Sequence, residues 1–147
     1  MRLWHKYLLS SLPDQWMVAQ WRECCAIARN IDLIGTPNHI LVNRIMDYPI
    51  SHFYTFSNLV LEEMNGRNFI TTATAYKKFE EHIFNYIEKS GDNRSLDEVS
   101  FDALFYPSWH NTDYLFQCAS NLQEKYDCGA MTKEEWQRIE DTVRMYI

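Results

Sequence analysis

Four prolines and four glycines are placed so that they cut this chain of 147 residues into pieces of helical length. From Asp14 to about Asn30 neither residue occurs, and Pro13 suits a first helical turn, where no backbone donor is needed. Ser11, with Asp14 three residues on, has the form of an N-cap and its partner. Leu12, Trp16, Ala19, Ala26 and Ile27 recur at helical spacing and predict an inward stripe. Glu23 falls on that stripe, and Arg22 and Arg29, seven apart, share a neighbouring face. Gly35-Thr36-Pro37-Asn38 reads as a loop, with Asn38 capping a helix over about 39–47 that Pro49 closes. Further helices are expected from about Ser51 to Asn65, ended by Gly66, and from Thr72 to Ser90, stopped by Gly91. Residues 91–108 are polar and irregular. Two more helices follow, at about Thr112 to Tyr126 and Met131 to Tyr146, the latter opened by Thr132 with Glu135 three later. No alternating strand pattern, internal repeat or low-complexity tract competes with this reading. The expectation is an all-α protein, one compact helical domain spanning 1–147.

Composition narrows the function classes. Hydrophobic residues make up 46% and aromatics 15%, enough for a packed core and too much for a disordered chain. Apolar runs fall short of a membrane span, and Ser10, Ser11 and Pro13 break the stretch after the N-terminus, so no signal peptide is expected and the reading is cytoplasmic. Cys24, Cys25, Cys118 and Cys128 show no Cys-x-x-Cys spacing and read as reduced thiols. His39, His52 and His82 have no ligand spacing, so neither a metal nor a cofactor is expected. The pairs Glu62-Glu63, Glu80-Glu81 and Glu134-Glu135 splay about 100° apart on a helix and read as solvated surface. Trp4, Trp16, Trp21 and Trp109 read first as core, with a stacking platform for a base as the alternative. The net charge of −6 argues by itself against a nucleic-acid partner. Its distribution tempers that: residues 1–47 hold five basic and four acidic side chains, the remainder nine and sixteen.

Four segments carry a likeness to a known family. They are Met1-Arg2-Leu3-Trp4-His5; Leu12-Pro13-Asp14-Gln15 with Gln20-Trp21-Arg22-Glu23-Cys24; Phe53-Tyr54 with Leu59-Val60-Leu61-Glu62-Glu63-Met64 and Arg67; and Tyr106-Pro107-Ser108-Trp109-His110-Asn111 with Tyr114-Leu115 and Asn121-Leu122. In order and spacing they resemble the pyrimidine-dimer DNA glycosylase (endonuclease V) family. The resemblance implies a helical fold of that type, with double-stranded DNA bearing a damaged or modified base as the partner. It also implies a nucleophile at the terminal α-amine, here that of Met1, because bulky Arg2 disfavours removal of the methionine. In that family the amine attacks C1′ and expels the base as an imine forms. A glutamate of the first helix, matched by Glu23, then assists β-elimination. Arg2 and Arg22 match basic positions that meet phosphate. Arg29 and His5 are further candidate DNA contacts, and His110 and Asn111 candidate pocket residues.

The residue types suit that chemistry. An α-amine has an ordinary pKa of about 7.7–8.0 against about 10.4 for lysine, so a useful share is neutral at pH 7. A carboxylate facing it holds an iminium by charge and moves a proton. The acidic remainder of the chain keeps a second reading open: a catalytically inactive relative that binds nucleic acid or protein. A monomer is the default expectation.

Overall fold

The computed structural model describes residues 1–91, 96 and 106–147. Most of the stretch expected to be irregular, 91–108, thus lies outside the described residues. The described chain is helical and contains no strand: α1 (Asp14–Ile34), α2 (Ile50–Gly66), α3 (Ala73–Ser90), α4 (Thr112–Asp127) and α5 (Lys133–Met145), with 3-10 turns at Lys6–Ser11 and Asn43–Asp47. Helix α1 is the axis, packing chiefly on α3 and α2. Helices α4 and α5 pair with each other, and α5 also packs on the first 3-10 turn.

Local chemistry explains most boundaries. Gly35 takes the left-handed conformation (φ 76°) and its N–H returns to the Ile31 carbonyl, so α1 ends there rather than near Asn30. Thr72 caps α3 by accepting from the Ala75 amide, and Gly91 closes it in the same left-handed way. Thr132 and Glu135 form the anticipated capping box of α5. Asn111 caps α4 by accepting from the Tyr114 amide.

Three expectations need correction. Ser11 does not cap α1, whose N-cap is Pro13; its buried hydroxyl bonds to Thr142 of α5. The helix over 39–47 is a turn followed by the Asn43–Asp47 3-10 turn. Asn38, at φ 58°, is not its cap; instead Asn43 Oδ1 accepts from the His39 amide at 3.0 Å. Finally, the buried face of α1 is Met17, Gln20, Trp21, Cys24, Ile27, Ala28 and Ile31. Ala26 is exposed, while Trp16, Ala19 and Glu23 sit half-buried on a flank. A polar residue, Gln20, stands in the middle of the true stripe, and selecting apolar residues alone rotated the inferred face away from it.

Two polar contacts clamp the layers. Arg67, just past α2, gives its guanidinium to the carbonyls of Leu9, Ser10 and Leu12 and to Asp14 and Glu63. It thereby satisfies the C-terminal end of the first 3-10 turn. Asp32, buried on α1, accepts from Lys89, from His82 (2.7 Å) and from Asn85 (3.2 Å), all on α3. The Lys89 and His82 hydrogen bonds hold its carboxyl down at about 2, against an ordinary value of 3.8. A carboxyl depressed in the folded state stabilises above its unfolded pKa and loses that contribution as pH falls through the folded value. Asp32→Asn should cost about 1–3 kcal/mol at pH 7, with the deficit shrinking between pH 4 and 2. Urea unfolding of both proteins across that range checks it; a deficit independent of pH would show that the charge contributes nothing.

Candidate active site

Residues 1–4 belong to no helix or strand and pair with no other backbone group among the described residues, so side chains must satisfy their amides and carbonyls, while the His5 carbonyl accepts from the Leu8 amide. Gln20 does most of this. Its side chain is completely buried; Oε1 accepts from the Trp4 amide at 2.8 Å, and Nε2 donates to the Arg2 carbonyl at 3.0 Å. The same Nε2 lies 3.2 Å from Glu23 Oε2, one turn further along α1. Tyr114 of α4 donates its hydroxyl to the Leu3 carbonyl from the other side. His110 Nδ1 accepts from the Lys6 amide at 2.9 Å.

This pinning lays Met1 over the flank of α1. Met1, Arg2, Trp4, Trp16, Ala19, Glu23, Leu41, Asn121 and Lys125 line one open pocket of about 420 Å³. Met1 and Glu23, singled out in the sequence, therefore line the same cavity, and the terminal ammonium is near enough to act on the Glu23 carboxyl. Burial raises the Glu23 pKa above 4.5, opposed by the terminal ammonium, the Arg2 amide, His39 and Arg22. A carboxyl balanced this way between desolvation and cationic neighbours is suited to accept and return a proton near a developing positive charge.

The other expected residues separate into two groups. Arg2 lines the pocket, with its guanidinium 5.5 Å from the Trp4 ring and 3.9 Å from Cys118 Sγ. Arg22 and Arg29 are exposed on α1, Arg22 close enough to act on Glu23 and Arg29 two turns further along. His5, His110 and Asn111 do not line the pocket. His5 is buried, its Nδ1 accepts from the Tyr7 amide, and desolvation lowers its pKa to about 4. A neutral imidazole turned inward is a turn cap rather than a phosphate contact. His110 is buried and stacked on His5 at 5.1 Å, with its pKa held well below the ordinary value by desolvation. Asn111 serves the N-terminus of α4 instead.

Sequence reading missed Gln20, Leu41, Asn121 and Lys125. Gln20 and Asn121 stood in the segments that carry the resemblance, but had no assigned role. Lys125 sits with Nζ 5.6 Å from the Trp16 ring, a contact between α4 and α1 that no local pattern announces. No group of three or more metal-ligating side chains occurs among the described residues. None of the described helices is long and apolar enough to cross a membrane.

Fold and pocket thus define a helical protein with a terminal amine beside a half-buried carboxylate, under a rim of cations. The family model described as pyrimidine dimer DNA glycosylase matches residues 1–77, and the chain belongs to that family. The match spans the N-terminal segment, α1 and α2, and so includes both Met1 and Glu23. No curated protein matches the chain, and no solved structure does.

Two stability effects follow from the geometry. Gln20→Leu strands the Trp4 amide and the Arg2 carbonyl in a dry interior and should cost about 2–5 kcal/mol in denaturant unfolding. A loss under about 1 kcal/mol would mean the segment is held by other contacts. Glu23→Gln should act in the opposite direction. A carboxyl whose pKa is raised on folding destabilises once ionised, so the variant should be the more stable protein at pH 7 and gain nothing below pH 4. Thermal unfolding of the pair at both pH values checks the sign.

Proposed function

We propose that this chain is a DNA glycosylase with an associated lyase activity that works through an imine on the Met1 α-amine. The observation that carries the reading is the placement of Met1 and Glu23 in one pocket, with Gln20 bonded both to the Arg2 carbonyl next to Met1 and to the Glu23 carboxylate. The neutral amine attacks C1′ of the damaged nucleotide. The C1′–N bond breaks and the base departs with the bonding electrons and takes up a proton from water; the nitrogen lone pair, freed as the new ammonium gives a proton to O4′, then breaks the C1′–O4′ bond and leaves the iminium. Glu23 carboxylate removes a proton from C2′; the electrons pass toward the iminium and the 3′ phosphate leaves. Water then hydrolyses the imine and frees the amine. No step requires a group beyond the chain, the DNA and water.

The cations suit the substrate. Arg2 and Lys125 line the pocket, and Arg22 stands beside Glu23 on the exposed side of α1. Phosphates flanking the lesion are their natural partners, with Arg22 and Arg2 able to engage bidentately. Arg29 continues the same helix face away from the pocket. A lesion weakens stacking and lowers the cost of bringing C1′ to the amine. The family points to a pyrimidine dimer as the lesion, with another modified base as the variant of the same reading.

Borohydride trapping tests this directly. Protein with a free N-terminus is mixed with labelled duplex carrying an abasic site or a cyclobutane dimer, then reduced. The expected result is a covalent adduct mapped to the Met1 amine on both. An adduct on the abasic site alone would keep the lyase and exclude the dimer. No adduct on either, from folded protein, would favour a relative that binds without catalysis. Glu23→Gln should lower strand cleavage by about 10²–10⁴-fold; cleavage at the parental rate would remove Glu23 from the mechanism.

A further inference from the structure

The loop between α1 and the second 3-10 turn shows an arrangement that packing does not explain. Ile40 is 85% exposed and Leu41 49% exposed, at the tip of an otherwise tightly braced loop. Asn43 Oδ1 accepts from the His39 amide at 3.0 Å and lies 3.3 Å from the Thr36 hydroxyl. The His39 carbonyl accepts from the amides of Val42 and Asn43, and Asn30 holds the Pro37 carbonyl at 3.1 Å. Val42 and Ile45 behind the tip are buried anchors. The loop therefore holds its two aliphatic side chains out into water rather than burying them.

The tip stands at the mouth of the candidate active site. Leu41 lines the same pocket as Met1 and Glu23, and His39 is near enough to act on the Glu23 carboxyl. In a chain with a net charge of −6, no acidic residue occurs between Asp32 and Asp47. The loop itself, with His39 and Arg44 and no acid of its own, adds no repulsion toward phosphate, while its apolar tip has no use for phosphate. What lies beside the phosphates and rewards an inserted aliphatic side chain is the base stack. Proteins that deform duplex DNA place Ile, Leu, Met or Phe between base steps in this way.

We propose that Ile40 is a wedge that enters the base stack next to the lesion, with Leu41 lining the passage to the Met1 amine. This rests on the DNA reading of the pocket given above. A wedge matters for duplex DNA, where stacking must be broken, and not for a single strand. Ile70 provides the control: it is 84% exposed, but lines a different cavity, between α2 and α3.

The experiment compares borohydride trapping on the same abasic oligonucleotide as duplex and as single strand, for the parent, Ile40→Ser, Ile40→Met and Ile70→Ser. Ile40→Ser should lower the duplex-to-single-strand rate ratio by about tenfold, and Ile40→Met should restore most of it. Ile70→Ser should keep the parental ratio. A ratio unchanged in Ile40→Ser, or lowered equally in Ile70→Ser, would overturn the wedge. A second readout is independent of catalysis: 2-aminopurine placed beside the lesion should brighten when the parent binds, and brighten less with Ile40→Ser. If the parent traps on neither DNA, the imine reading fails, and the fluorescence still decides the wedge. Equal signals from parent and Ile40→Ser, or no signal from either, would overturn it.

Discussion

The Gln20 side-chain amide is the hinge on which fold and site both turn. It lies in the buried face of α1, where an unpartnered polar group would be costly, and it is fully used: one acceptor bond from Trp4, one donor bond to Arg2, and a contact to Glu23. An extended N-terminal segment has no ladder to satisfy its backbone and few reasons to lie in one place. Gln20 supplies both, and Tyr114 closes the segment from the opposite side. The position of the terminal amine is therefore set by the interior of the protein rather than by its surface.

Histidines, two of them buried and His52 half-buried, extend the same solution to other irregular segments. His5, His52 and His110 each offer Nδ1 to a backbone amide, those of Tyr7, Tyr106 and Lys6 respectively. Each has its pKa lowered, chiefly by desolvation. A protonated ring would lose its acceptor, so the same burial that depresses the pKa keeps the bond available at neutral pH. The linkage has a definite sign. The unfolded chain binds protons first, and this contribution is complete above about 6.5 and lost as pH falls toward the folded values. His5 and His110 thus matter to the site in a different way from the one their sequence positions suggested. They bond the backbone of Lys6 and Tyr7, just after the segment that carries the amine.

What the sequence made legible was what local rules govern. The capping box of α5, the Thr72 and Gly91 ends of α3 and the span of α2 follow from residues within a turn of each boundary. Met1 and Glu23 were singled out by the motifs around them, and the structure brings the two to one pocket. The 39–47 turn was not, because the Leu41 amide that an Asn38 cap would need goes to His39 Nδ1, and two buried anchors, Val42 and Ile45, suffice to hold a turn without a regular helix. Gln20 escaped because a fully satisfied amide occupies a core position as well as a leucine does, and only its partners, 16 to 18 residues away, reveal it. Asp32 was hidden similarly, its three partners standing at least 50 residues off on α3.

The acidic balance of the chain, the strongest sequence argument against a DNA partner, changes meaning once the cations are located. Surface charges act over a Debye length of about 8 Å at physiological salt, so a phosphate senses the nearest side chains rather than the total. Around the pocket those are Arg2, Lys125 and the terminal amine, with Arg22 at the edge and Glu23 the acid among the lining residues. Elsewhere the acidic excess repels a polyanion. A chain with this balance gains little from non-specific contact, which scales with the number of phosphates neutralised, and offers its cationic pocket as a face where approach is favourable. On the proposed reading, approach at that face brings the phosphates to the amine and the exposed tip of the 36–42 loop to the bases. Local positive charge and net negative charge then act together: the first selects the face and the second rejects the others.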